Sequence, residues 1–211
     1  MKTRDSDMPP EEYWETFFDP SLVLWSLGLH QAQGGVVDVG AGYGTFALPA
    51  ARLTGRQVVA IDIEPEAIDA LARKARGEGL VTVKPLLRDV VGEGTGLSEA
   101  SADIVLLFNI LHCEEPMGLL DEAWRILRPG GRVGILHWRR DIPTPRGPNL
   151  DIRPSPERCA AWLSAANFDV VVEPRVLPPY HFGMVGRKPA APSSAGMVND
   201  GPYTVPGVDE H

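Results

Sequence analysis

Three glycines at alternate positions, in Asp38-Val39-Gly40-Ala41-Gly42-Tyr43-Gly44, break a β-branched run and precede apolar residues at helical spacing, Phe46, Pro49/Ala50 and Leu53. Strand, tight turn and helix follow from that change of period. Glycines in such a turn allow positive φ and close ligand approach, and the helix behind would present unpaired N–H groups. Four more stretches end with groups able to do chemistry: Asp62 after Gln57-Val58-Val59-Ala60-Ile61, Asp89 in Arg88-Asp89-Val90, Asn109 and His112 in Phe108-Asn109-Ile110-Leu111-His112, and His137 in Leu136-His137-Trp138-Arg139. An acid about 20 residues beyond a glycine turn suits the hydroxyls of a ribose. Charge-assisted bonds of that kind are worth about 1.5–3 kcal/mol each. The two histidines are the groups able to move a proton near neutral pH.

A dinucleotide fingerprint has the spacing G-x-G-x-x-G, with a helix N-terminus under a pyrophosphate. Here the pattern is D-x-G-x-G-x-G, and the third glycine departs from it. In this motif, and in the Leu127-Arg128-Pro129-Gly130-Gly131 turn ahead of a strand, the sequence resembles the class I S-adenosylmethionine-dependent methyltransferases, of the type 11 kind. The resemblance spans Gly34 to about Arg187. It implies a doubly wound, mostly parallel seven-stranded α/β sheet in a single domain, with S-adenosylmethionine as cofactor and S-adenosylhomocysteine as product. It further implies cofactor contacts from Asp38, Gly40, Ala41, Gly42 and Tyr43 under the methionine and ribose, from Asp62 and Ile63 at the ribose, from Asp89 and Val90 at the adenine, and from Asn109 beside the transferred methyl. An N-terminal helix often lies across the site in this family, which makes Tyr13 and Trp14 lid residues that meet the acceptor, while Phe17 and Phe18 suit the core.

The elements that must position these groups are legible in order. Two short helices, split at Asp19-Pro20, fill Glu11 to Leu29. The helix after the glycine turn should start near Thr45, which leaves Pro49 within or just past its first turn. Strands are expected over Gln57–Asp62 and Val81–Leu87, the latter an edge strand or one that ends at Pro85. The longest apolar run, Ala102 to His112, reads as the central strand. Met117 to Leu127 has helical spacing, Arg132 to His137 forms the next strand, and Asp141 to Pro154 is an irregular substrate loop. Ser155-Pro156 opens a helix, and two strands, Phe168–Glu173 and Tyr180–Arg187, complete the alternation. The organisation is thus a helical lid over 1–30, a cofactor-binding domain over 31–188 and a disordered tail over 189–211.

Alternatives stand beside several of these readings. The glycines could serve turn geometry alone, Asp62 or Glu64 could cap the helix from Pro65, Asp89 could be a solvated loop acid, and each histidine could be structural. Methyl transfer from a sulfonium is an in-line displacement that needs no metal, and it needs a base only if the acceptor arrives protonated. His137 and His112 are then the base or acceptor-positioning residues, with Arg139 nearby in the acceptor pocket. The other reading is a domain that binds the cofactor as a sensor or partner subunit without transferring its methyl. A net charge of −8 argues for a small-molecule acceptor over nucleic acid. No run approaches the roughly 20 apolar residues of a membrane span. The N-terminus lacks the pattern of a signal peptide, and two distant cysteines suit a reducing compartment, so a cytoplasmic location is expected. Monomer and homodimer both remain open.

Overall fold

Residues 9–190 are described by the computed structural model, so the expectations for residues 1–8 and for the tail beyond 190 lie outside the described residues. Seven strands form one sheet: β1 (Val36–Val39), β2 (Val58–Asp62), β3 (Val83–Leu87), β4 (Ala102–Phe108), β5 (Leu127–Trp138), β6 (Asp169–Leu177) and β7 (His181–Arg187). Their order is β3-β2-β1-β4-β5-β7-β6. The first five run parallel, and β7 inserts antiparallel between β5 and β6. The order reverses between β1 and β4, and such a switch opens a crevice outside the strand C-termini. Pro85 lies in β3, at the sheet edge, where its missing N–H breaks no ladder.

Strand alternation divides the core into two layers. Val36, Ala60, Leu106, Leu136 and Trp138 face α2 (Pro20–Ser26), α3 (Ala47–Thr54) and Leu71 of α4 (Pro65–Gly77). Val37, Ile61, Val105, Leu107 and Ile135 face α6 (Pro116–Ile126) and α7 (Pro156–Ala165). Every residue of β4 is buried, as a central parallel strand covered on both faces requires. Each buried Leu or Val of these layers contributes about 1.5–3 kcal/mol of transfer free energy. A first helix, α1 (Glu11–Glu15), and a short α5 (Val90–Glu93) complete the set. Among the described residues no helix is long and apolar enough to cross a membrane.

Boundaries differ from expectation at three places that shape the site. The apolar run through His112 stops being a strand at Phe108, because Asn109 takes φ +53° and turns the chain. Helix α3 starts at Ala47, two residues late, which puts Pro49 in its first turn where no N–H is needed. The Arg128–Gly131 segment forms no separate turn: β5 begins at Leu127, and these residues bulge out between the Ala102–Leu127 and Ile104–Arg132 pairs. Gly130 at φ +80° then donates to the Lys188 carbonyl, and the Lys188 N–H returns a bond to Gly131.

Candidate active site

A cavity of about 410 Å³ lies at the C-terminal edge of the sheet, over the switch between β1 and β4. Its floor is the glycine turn. Gly40 sits at φ +74°, and a Cβ there would come within 3.0 Å of Ile110 Cδ1, so a side chain would be strained in its backbone and would press on the end of Ile110. Four N–H groups of the turn are already engaged. Those of Gly40 and Ala41 both donate to the Ile61 carbonyl, at 2.8 and 2.9 Å, that of Gly44 donates to Ala41, and that of Gly42 donates to Asp62 Oδ2 at 2.7 Å. An anion cradle requires such donors to be open. The turn therefore offers a flat backbone surface and no phosphate nest.

Asp62 joins the turn to the start of α4. Its Oδ2 accepts from Gly42, and its Oδ1 accepts from the Glu64 N–H at 2.9 Å. A carboxylate has about four acceptor directions, so two remain beside the cavity it lines. The ribose and helix-entry readings of this acid are thus compatible. Asp89 caps α5 through a 3.0 Å bond from the Gly92 N–H and also lines the cavity, as do Ile63 and Val90.

Asp38, Thr45 and Asn109 also line the cavity. Asp38 is only 2% exposed, and burial, reinforced by the charge of Asp62, pushes its carboxyl up from 3.8 to about 7. Asp38 Oδ2, Thr45 Oγ1 and Asn109 Oδ1 are buried polar atoms that meet no hydrogen-bond partner among the described residues. The Asn109 amide nitrogen stands 3.4 Å from His181 Nε2. Three unsatisfied oxygens at one end of a cavity are costly unless a ligand brings donors. The ammonium end of an amino-acid ligand supplies such donors. With Asp62 and Asp89 and the apolar Ile63, Val90 and Val91 also in the lining, the residues present fit S-adenosylmethionine.

Not all the expected site residues meet here. Asp38, Gly40, Ala41, Gly42, Asp62, Ile63, Asp89, Val90, Asn109, His112 and Trp14 line the cavity. Tyr13, Tyr43, His137 and Arg139 are outside its lining. Tyr13 is 45% exposed and packs edge-on to Phe17 at 4.8 Å, so the lid ring that reaches the cavity is Trp14. Arg139 is held by Asp141 through two bonds, of 3.0 and 2.7 Å. His137 is displaced by one residue of strand geometry: β5 continues to Trp138, and period-two alternation turns Trp138 to the cavity side and His137 to the other layer. Fully buried, its ring lies 5.4 Å from that of His112, and burial followed by the His112 charge lowers its pKa well below 6.5. The lowered pKa makes it a weaker base, and it lies outside the cavity lining.

Sequence reasoning passed over Phe46, Phe108 and Trp138, which build an aromatic wall with Trp14. The Phe46 and Phe108 rings meet edge-on at 4.7 Å, and Trp14 meets Trp138 at 6.3 Å. It also passed over Arg146, Gly147 and Pro148, which close the outer side. The irregular composition of 141–154 marked a loop over the site, but nothing local marked which residues touch it.

A family model described as a methyltransferase domain matches residues 36–131. A solved S-adenosylmethionine-dependent methyltransferase from Aquifex aeolicus superposes with a TM-score of 0.73 at 25% identity, covering 84% of this chain and 93% of that one. An uncharacterized methyltransferase of Mycobacterium tuberculosis is 33% identical over 126 residues, 59% of this chain and 47% of that protein. A ribosomal protein L11 methyltransferase of Symbiobacterium thermophilum is 34% identical over 113 residues, 52% of this chain and 34% of that protein. The chain thus spans between a third and a half of the length of the curated relatives it matches. The glycine turn, the strand order and these likenesses agree: residues 36–131 match a methyltransferase domain, and the fold is that of S-adenosylmethionine-dependent methyltransferases.

Proposed function

We propose that this protein transfers a methyl group from S-adenosylmethionine to a small, largely apolar acceptor in the cytoplasm. The observation that carries this reading is that the glycine turn, Asp62, His112 and the aromatic wall face one cavity. When bound, S-adenosylmethionine supplies a methyl group made electrophilic by the positive sulfur. Asp62 and Asp89 orient the nucleoside, while Asp38 and Asn109 receive the amino-acid end. Trp14, Trp138 and Pro148 exclude water and hold the acceptor in line, which is where most of the acceleration of a displacement originates. His112, 8% exposed at the wall, takes the acceptor's proton at a ring nitrogen as the new bond to carbon forms. An acceptor that arrives with a free lone pair needs no such step.

A small molecule is favoured over a macromolecular acceptor because residues 146–148 and Trp14 wall the cavity, and because the chain carries a net charge of −8. The free Cys113 and Cys159 support a reducing compartment. The test is calorimetric titration with S-adenosylmethionine, S-adenosylhomocysteine and NAD, followed by a screen for S-adenosylhomocysteine release with phenols, amines and carboxylic acids beside transfer RNA and ribosomal protein. Micromolar binding of the two sulfur nucleosides and turnover with a small acceptor are expected. Turnover only with RNA or protein would overturn the acceptor class, and NAD binding alone would overturn the cofactor.

A further inference from the structure

Residues 141–153 contain no helix or strand, yet Arg146, Gly147 and Pro148 form part of the cavity wall. The side chain that ties this segment together at most points is Arg153, which is 5% exposed. Its Nε donates to the Pro148 carbonyl at 2.6 Å, Nη1 donates to the Arg139 carbonyl at 2.8 Å and to Thr144 Oγ1 at 2.9 Å, and Nη2 donates to the Arg146 carbonyl at 3.2 Å. The guanidinium carbon lies 5.9 Å from the centre of the Trp138 ring. Every one of these oxygen acceptors is neutral. Burying a cation among neutral oxygens is unfavourable compared with leaving it in water, so the position must depend on what the planar fork does there. It gathers four points of an irregular chain into one plane, which a point charge cannot do.

The same contact presses the segment onto the cavity. Gly147 has φ +112°, and a Cβ on it would lie 2.9 Å from both Arg153 Nη2 and Trp138 Cδ2. Trp138 in turn meets the Trp14 ring. Strap, strand end and first helix are therefore mechanically continuous, and Arg153 is their hub.

We propose that Arg153 is a positioning residue that folds residues 141–153 into a strap, making the outer wall of the cavity and slowing escape of the bound nucleoside. The strap itself is independent of the ligand's identity; that the nucleoside is a sulfur nucleoside rests on the methyl-transfer reading. Loss of a wall shows mainly in the off-rate, because the floor that captures the ligand is unchanged.

The experiment compares full-length wild type with R153K, R153M and G147A. Limited trypsinolysis at the Arg146–Gly147 bond, without ligand, reports strap opening, with fragments identified by mass. Stopped-flow displacement of S-adenosylhomocysteine reports its release. Cleavage should rise tenfold or more in R153K and R153M, and release should quicken fivefold or more with association within twofold of wild type. R153K keeps the charge and should still fail to rescue. If R153M does not fold, G147A decides, since it disturbs the strap with Arg153 intact and should reproduce both effects. Cleavage of R153K as slow as wild type would overturn the proposal. So would faster cleavage with unchanged release, since the strap would then not be a wall. Wild type that fails to bind S-adenosylhomocysteine would overturn the cofactor reading and the retention role together, while trypsinolysis alone would still decide whether Arg153 folds the strap.

Discussion

Replacing Asp38 with Asn should stabilise the ligand-free protein at high pH and leave it nearly unchanged at pH 4. In the folded state burial, then the charge of Asp62, raises this carboxyl from 3.8 to about 7. Below 3.8 the group is protonated in both folded and unfolded chains and has no linkage effect. Between 3.8 and 7 only the unfolded chain releases its proton freely, so stability falls as pH rises, and above 7 the loss is complete. A change of about three powers of ten in proton affinity corresponds to about 4 kcal/mol at roughly 1.36 kcal/mol per power. In a chain of this size that is a shift of about 10 °C in Tm. Urea or thermal unfolding of both proteins from pH 4 to pH 8 measures it. Their stability difference should open across that interval and then stay flat. His137 contributes a trend of opposite sign in both proteins, since its lowered pKa favours folding as pH rises through 6.5; the difference between the two proteins removes it. A cationic ligand end beside Asp38 would return the carboxyl to its ionised form, so S-adenosylmethionine binding at pH 6 should release close to one proton, measurable as a dependence of binding heat on buffer. Parallel stability curves together with proton-neutral binding would refute the reasoning.

Five other substitutions separate the roles assigned above. Asp62→Ala removes the acceptor of the Gly42 and Glu64 N–H groups and the ribose partner together, and should weaken S-adenosylhomocysteine binding tenfold or more by calorimetry; an unchanged affinity would sink the ribose assignment. Gly40→Ala combines a strained φ with a 3.0 Å contact to Ile110 and should cost about 1–3 kcal/mol, whereas Gly55→Ala, at φ +62° with open space around it, should cost about 1 kcal/mol from the backbone alone. Equal urea midpoints for the two would show that Ile110 moves aside. His112→Gln should lower turnover of a protonated acceptor about a hundredfold with nucleoside affinity within threefold. His137→Gln should instead lower stability by about 1–3 kcal/mol, and the reverse pattern would exchange their roles.

Most of the elements were legible because each carries its own local chemistry. The β-branched run before Gly40 and the helical spacing after it need no distant partner to be read. Asp19-Pro20 starts α2, with Asp19 Oδ1 accepting from the Leu22 N–H at 2.9 Å, although α1 has already ended at Glu15. Ser155 caps α7 by accepting from Arg158 at 3.2 Å, as its position before Pro156 indicated. The acids at the ends of β1 and β2 were legible because a carboxylate stands out against apolar neighbours. Trp14 was separable from Phe17 and Phe18 only as part of a cluster, and the cavity then took Trp14 and left Tyr13 outside.

The sequence alone therefore determined the alternation of strands and helices, the glycine turn and the methyltransferase likeness they carry, because these depend on periodicity and on residues within a few positions of each other. Tertiary structure decided which side chains share the cavity. His137 and Trp138 are adjacent, and only the length of β5 in the sheet determines which of them faces the ligand. Only β2 brings the Ile61 carbonyl and Asp62 against the N–H groups of the glycine turn. Arg153 reads as an ordinary surface arginine, and its burial comes from four oxygens brought to it by a loop with no regular structure. In each case the deciding contact joins segments whose meeting depends on the packed sheet, and no local preference encodes that meeting.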